Sequence, residues 1–223
     1  MSTGTRHTIT AFDDDMDEIR GLIAEMGARA ETAVVAAMKA LTEHDVEAAA
    51  TIRAEDKIID SLETEVERLV VRTIALRAPM ADDLRELIAA LKMSAVIERI
   101  GDYAKNIAKR VPKMEGKIHA SAKEQLSRMG AIVVEMIRTA MDAYAKRDVD
   151  LALAVTVRDD VVDQLNKDLF VDFVAYVAKN PKNATEVAHL LFTAKNLERI
   201  GDHTTTVAQM IYFTETGENL PDA

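Results

Sequence analysis

Four pairs of acidic residues share one spacing: Asp56 with Asp60, Glu98 with Asp102, Asp159 with Asp163, and Glu198 with Asp202. On a helix, residues four apart lie on one face, so each pair aims two carboxylates at the same region. Like charges so placed cost about 0.2–0.5 kcal/mol on a solvated helix, and partial burial adds a desolvation penalty. A bound cation offsets both costs. Oxygen-only ligand sets suit hard or borderline ions, so the candidates are divalent or trivalent: Mg²⁺, Mn²⁺, iron and, less typically, Zn²⁺. The competing explanation is ordinary surface ion pairing with Arg99, Arg199, Lys105 and Lys195. Both explanations stay open at this level.

Two of the pairs sit inside identical pentapeptides, Glu98-Arg99-Ile100-Gly101-Asp102 and Glu198-Arg199-Ile200-Gly201-Asp202. Glycine in a helix interior costs about 1 kcal/mol relative to alanine, so its presence between the acids of both copies calls for a cause. Close approach of a neighbouring group is that cause, whether the group is a packed helix or a metal cluster. The two are compatible.

Other reactive groupings are sparse. Glu186 and His189 form a single ExxH pair, the local spacing of carboxylate-bridged di-iron bundles, but the matching positions near Glu86 and Ala89 hold no histidine. The spacing is read as coincidence. His203 follows Asp202 where the other copy has Tyr103, and is read as solvated or partner-facing. His7, His44 and His119 fall near expected helix ends and read as surface. No phosphate-binding loop, dinucleotide fingerprint or nucleophile–base spacing occurs. With no cysteine in the chain, disulfides, thiolate metal sites and a cysteine nucleophile are excluded.

The elements that carry the acids also recur. Met26-Gly27-Ala28 matches Met129-Gly130-Ala131, and the same offset of 103 relates Met38 to Met141, Asp45 to Asp148, Asp56 to Asp159 and Asp60 to Asp163. Pro79 and Pro181 match at 102 and the pentapeptides at 100, so the second copy is shorter around its last connection. The four methionines fall on apolar faces and read as core. Each copy divides into three helical segments. Asp13, Asp14, Asp15 and Asp17 suit a helix start, with apolar periodicity continuing to about Glu43. Asp45 and Asp148 are expected N-caps of second helices, the first running to about Arg77. After Pro79 and Pro181, third helices run to about Arg110 and Phe213. Segment 111–119, "VPKMEGKIH", carries Pro112 and Gly116 and marks the boundary between copies. The expected fold is all-α: a tandem repeat of two three-helix bundles, six long antiparallel helices, with repeats at 13–111 and 119–214. In the third helix, Leu84, Ile88, Leu91, Ala95, Glu98 and Asp102 form one stripe, an apolar line ending in carboxylates.

Composition agrees with a helical protein. Hydrophobic residues make up 48% of the 223 while aromatics are only 4%, which disfavours strand-rich folds. The formal charge of −10 argues against general nucleic-acid binding. No stretch has the roughly 18 apolar residues of a membrane span, and the expected location is the cytoplasm.

The tandem units, the Pro-x-x-x-Asp-Leu-Arg stretch from Pro79 to Arg85, and the doubled pentapeptides together resemble the PhoU family, over most of the chain from about Asp17 to Phe213. The resemblance implies metal binding at E/DxxxD motifs, sometimes as multinuclear iron clusters, with Asp56, Asp60, Glu98 and Asp102 as ligands in the first bundle and Asp159, Asp163, Glu198 and Asp202 in the second. It implies no catalysis. It further implies a negative regulator of the phosphate-starvation response and phosphate uptake, linking the ATPase of the phosphate ABC transporter to a phosphate sensor histidine kinase. Oligomeric state stays open, a homodimer among the options. Thr185 stands where Arg85 would recur, and Glu63 and Glu67 become Asn166 and Phe170, so a second site poorer in ligands, or two ends serving different partners, is expected. The rival expectation is a carboxylate-bridged di-metal oxidase or metal-storage bundle using Glu186 and His189.

Overall fold

The computed structural model describes residues 3–114 and 119–220, with side chains from residue 11 onward. Its long helices are α1 (Thr3–Glu43), α2 (Val46–Arg77), α3 (Asp82–Ala108), α4 (Ala120–Lys146), α5 (Val149–Lys179) and α6 (Ala184–Thr216). The expected caps form: Asp45 accepts from the Ala48 N–H at 2.9 Å and Asp148 from the Leu151 N–H at 3.0 Å. Each satisfies an otherwise orphaned amide of the following helix. Proline acts as a breaker at both later junctions. α2 stops at Arg77 with Ala78 in the left-handed region, and Pro181 opens a short 3-10 turn before α6.

α1 begins about ten residues earlier than its acidic run implies, so Asp13 to Asp17 lie inside the helix rather than at its start. Asp15 is tied there by Arg77 of α2 at 3.0 Å. Ion pairing, not the helix dipole, accounts for that acid. Of the expected boundary segment, residues 115–118, including Gly116, lie outside the described residues; Val111–Lys113 form a 3-10 turn.

Within each repeat the three helices pack on one another, but α1 also packs on α4 and α3 on α6. Buried side chains from all six helices therefore join one continuous core, with α1, α3, α4 and α6 central and α2 and α5 flanking. Positions paired by the repeat meet across this junction. The methionine of each copy covers the glycine of the other: a Cβ on Gly27 would lie 2.0 Å from Met141 Sδ, and one on Gly130 would lie 3.0 Å from Met38 Cγ. Polar contacts close the same junction at its rim. Glu86 of α3 binds Arg20 at 2.6 Å and Arg147, at the end of α4, at 3.0 Å.

Arg85, from the proline-led stretch, caps the far end of α6. Its Nε donates to the Thr214 carbonyl at 3.1 Å, placing a cation at a helix C-terminus where the dipole favours it. Gly217 ends α6 at φ +77°, and a Cβ there would lie 2.8 Å from Arg85 Nη1. Arg85 therefore joins the repeats structurally, and Thr185 needs no equivalent partner.

The stripe that runs from Leu84 to Asp102 is not the core-facing side of α3. Leu84 and Ile88 are each 37% exposed, whereas Leu87, Ala90, Ile97, Ile100 and Ala104 are buried. α3 is packed by α1, α2 and α6, so it is apolar around most of its circumference and periodicity does not single out the buried side.

Candidate metal centres

The acid pairs come together along two seams, α2 against α3 and α5 against α6. Both glycines permit close approach of the same pair of repeat-equivalent groups, an aspartate and an aliphatic side chain, and Asp56 Oδ1 lies 3.7 Å from a Cβ on Gly101. A Cβ on Gly101 would meet Ile59 Cδ1 at 2.8 Å, while one on Gly201 would meet Asp159 Oδ1 at 2.8 Å and Val162 Cγ1 at 3.5 Å. In the first repeat the aliphatic side chain is the nearer of the two; in the second it is the carboxylate.

In the first repeat Asp56 is only 8% exposed, and Lys105 of α3 bridges it to Asp102. Burial opposes the Lys105 charge, but its hydrogen bonds to Asp102 and Asp56 outweigh this and hold the ammonium well above the usual lysine range. Arg99 lies 3.7 Å from Glu98 and 3.9 Å from Asp102. Glu98 is pushed up to about 7 by burial, then by the charges of Asp102 and Glu63. Glu63 is raised by burial and by Glu67 and Asp60. The first cluster thus holds acids in excess, with Asp102 committed to Lys105.

In the second repeat Thr205 stands where Lys105 would recur. Asp163, Glu198 and Asp202 each offer a carboxylate oxygen within 4.8 Å of the other two, the one set of three that converges in this way among the described residues. Lys195 binds Glu198 Oε1, but Glu198 Oε2 is buried without a hydrogen-bond partner. Asp159, beside that set, is pushed up to about 6 by burial and by Asp202 against the opposing pull of the Thr205 hydroxyl, and Asp202 is raised by burial and by Glu198 and Asp163. Unsatisfied anionic oxygens around a point of convergence are the donor set a hard divalent cation takes, with water completing its shell. The second site, though poorer in acids by sequence, is the one whose ligands converge. Of the other expected ligands, Asp56, Asp60, Glu98, Asp102 and Asp159 belong to no converging set of three among the described residues, and Lys105 occupies Asp56 and Asp102.

Between the clusters, Tyr103 and His203 stack edge-on at 5.3 Å, with the Arg199 guanidinium 5.8 Å from the Tyr103 ring centre. His203 is partly buried, and burial with Arg99 and Arg199 holds it below the usual histidine range. It faces its repeat counterpart rather than solvent or the carboxylates. Glu186 Oε1 and His189 Nδ1 are also buried without partners. However, burial and the charges of Arg110 and Lys113 hold His189 down, an environment that disfavours a cation.

These shifts predict a pH dependence for metal-free protein. Glu98 ordinarily titrates near 4.5 and Asp159 near 3.8, and folding raises both. Between the ordinary and folded values the native state holds protons that the unfolded chain releases, so stability falls as pH rises. From pH 5.5 to 8 the loss is about 1 kcal/mol after allowing for solvent screening. Thermal unfolding of metal-free wild type and Glu98→Gln across this range checks it: the variant should show the shallower slope.

A doubled three-helix unit with a shared core and acidic seams defines a tandem helical-bundle protein. The family model for the PhoU domain matches residues 23–111 and 126–211, and the chain belongs to the PhoU family. It is 47% identical over 216 residues to a phosphate-specific transport system accessory protein PhoU homolog of Zymomonas mobilis, covering 97% of this chain and 91% of that one. A homolog of the same description from Caulobacter vibrioides is 39% identical, with 97% and 94% covered. The crystal structure of PhoU from Pseudomonas aeruginosa superposes with a TM-score of 0.88 at 30% identity, covering 93% of this chain and all (100%) of that one. The phosphate transport system regulatory protein PhoU from Streptococcus pneumoniae gives 0.87 at 25% identity, with 94% and 99% covered. No helix among the described residues is long and apolar enough to cross a membrane.

Proposed function

We propose that this protein is a non-catalytic accessory protein of a phosphate transport system that restrains the phosphate-starvation response from the cytoplasm. In this reading it couples the transporter's ATPase subunit to a sensor histidine kinase, and a hard cation held by Asp163, Glu198 and Asp202 stabilises the binding-competent form. The observation that carries the reading is near-full-length identity of 47% to a relative described as a transport accessory protein. The converging second-repeat carboxylates support the metal component. A regulator of this kind must bind the states of its partner with different affinities, because equal affinity shifts nothing.

Alkaline phosphatase activity in phosphate-rich medium tests the proposal. Depletion of the protein should raise the activity, and the wild-type chain should restore repression. Unchanged activity after complete depletion would remove the regulatory reading. The oxidase alternative has one ExxH pair rather than two, set among cations, and is not favoured.

A further inference from the structure

The two seams are related by the repeat, yet they balance their acids differently. In the first, a single ammonium, that of Lys105, contacts both Asp56 and Asp102. In the second, the offset that pairs Glu98 with Glu198 puts the uncharged Thr205 at that place, where its hydroxyl faces Asp159 but brings no positive charge. A lysine ammonium is a compact point charge with three donors, so it can hold two carboxylates much as a bound cation does.

We propose that Lys105 is a tethered counter-ion standing in for metal, so that the first repeat has a permanent internal cation and only the second exchanges a cation with solvent. This rests on the metal reading given above. Two independent features support the division. Asp102 is held by Lys105, and the first repeat lacks a converging set of three among the described residues. In the second repeat Asp163, Glu198 and Asp202 converge, and Lys195 satisfies only one oxygen of Glu198, leaving Glu198 Oε2 buried and unpartnered. The protein then carries one seam of constant charge and one whose charge depends on available metal. A change in metal supply acts on α5 and α6 and leaves α2 and α3 unaltered.

Equilibrium dialysis with Mn²⁺ alone, together with thermal unfolding of metal-stripped protein with and without Mn²⁺, tests this on the full chain. Wild type should bind one ion. Lys105→Thr should bind two, and its metal-free Tm should fall by roughly 4–8 °C because buried carboxylates lose their counter-ion, with Mn²⁺ restoring much of the loss. Thr205→Lys should bind none, and its Tm should be indifferent to Mn²⁺. Two ions on wild type, or one ion on Lys105→Thr, overturns the inference while leaving metal binding intact. No uptake by any of the three proteins overturns the metal reading itself and this inference with it. Should Lys105→Thr fail to fold, wild type and Thr205→Lys still decide: the inference fails if Thr205→Lys retains the wild-type stoichiometry.

Discussion

Glu198→Gln combined with Asp202→Asn is expected to weaken Mn²⁺ binding at least about 100-fold, a loss of about 2.7 kcal/mol or more. Ligand charge count sets the affinity of oxygen sites, and this variant removes two of the three converging charges. At Mn²⁺ near 100 times the wild-type dissociation constant, wild type gains about 2.7 kcal/mol of stability from the ion, and the double variant should gain almost none. The metal-free variant should unfold at a higher temperature than metal-free wild type, because Asp202 is repelled there by Glu198, Asp163 and Asp159. That reversal separates a cation site from a structural ion pair, whose loss destabilises under all conditions. Titration calorimetry and thermal unfolding read both effects. Wild-type Mn²⁺ affinity in the double variant would place the cation elsewhere, and Glu98→Gln with Asp102→Asn is the matching control, expected to leave affinity within about twofold.

Gly27→Ala is expected to destabilise the protein by about 1–3 kcal/mol, although alanine is the better helix former by about 1 kcal/mol. The added Cβ would fall on Met141 Sδ, with Met141 Cγ only 2.6 Å away, and Met141 belongs to the other repeat. Gly21→Ala, on the same helix with nothing within 4 Å of its Cβ, should gain about 1 kcal/mol. Pairing Gly27→Ala with Met141→Ala vacates the space the new methyl needs, so a double-mutant cycle should give a favourable coupling of about 1–3 kcal/mol. Urea unfolding of the four proteins measures it. If Gly27→Ala stabilised as much as Gly21→Ala, the proposed tight contact between α1 and α4 would be wrong.

Local chemistry explains what was legible beforehand. Asp45 and Asp148 satisfy amides three residues away, and Pro79 and Pro181 act on their own backbone, so capping and breaking needed no knowledge of distant groups. The repeat register was legible too, including the match of Gly27-bearing and Gly130-bearing segments, though not that each glycine faces the other's methionine. Spacing placed Leu84 and Ile88 on one stripe of α3 but did not say which way it faces, because burial there is set by several neighbours at once. Lys105 was visible as an available cation, and its pairing with Thr205 follows from the offset of the pentapeptides. Its reach to Asp56 on another helix was not visible.

The sequence by itself determined six helices in two copies, the four acid pairs and the glycines beside two of them, because caps, breakers and repeat offsets act within a few residues or are read by comparing the chain with itself. Tertiary structure alone decided that both copies share one core, that Lys105 bridges Asp56 and Asp102, and that Asp163, Glu198 and Asp202 converge. Those outcomes depend on the distance between side chains on different helices, and Coulomb attraction, repulsion and desolvation change over a few ångströms that helical spacing does not specify.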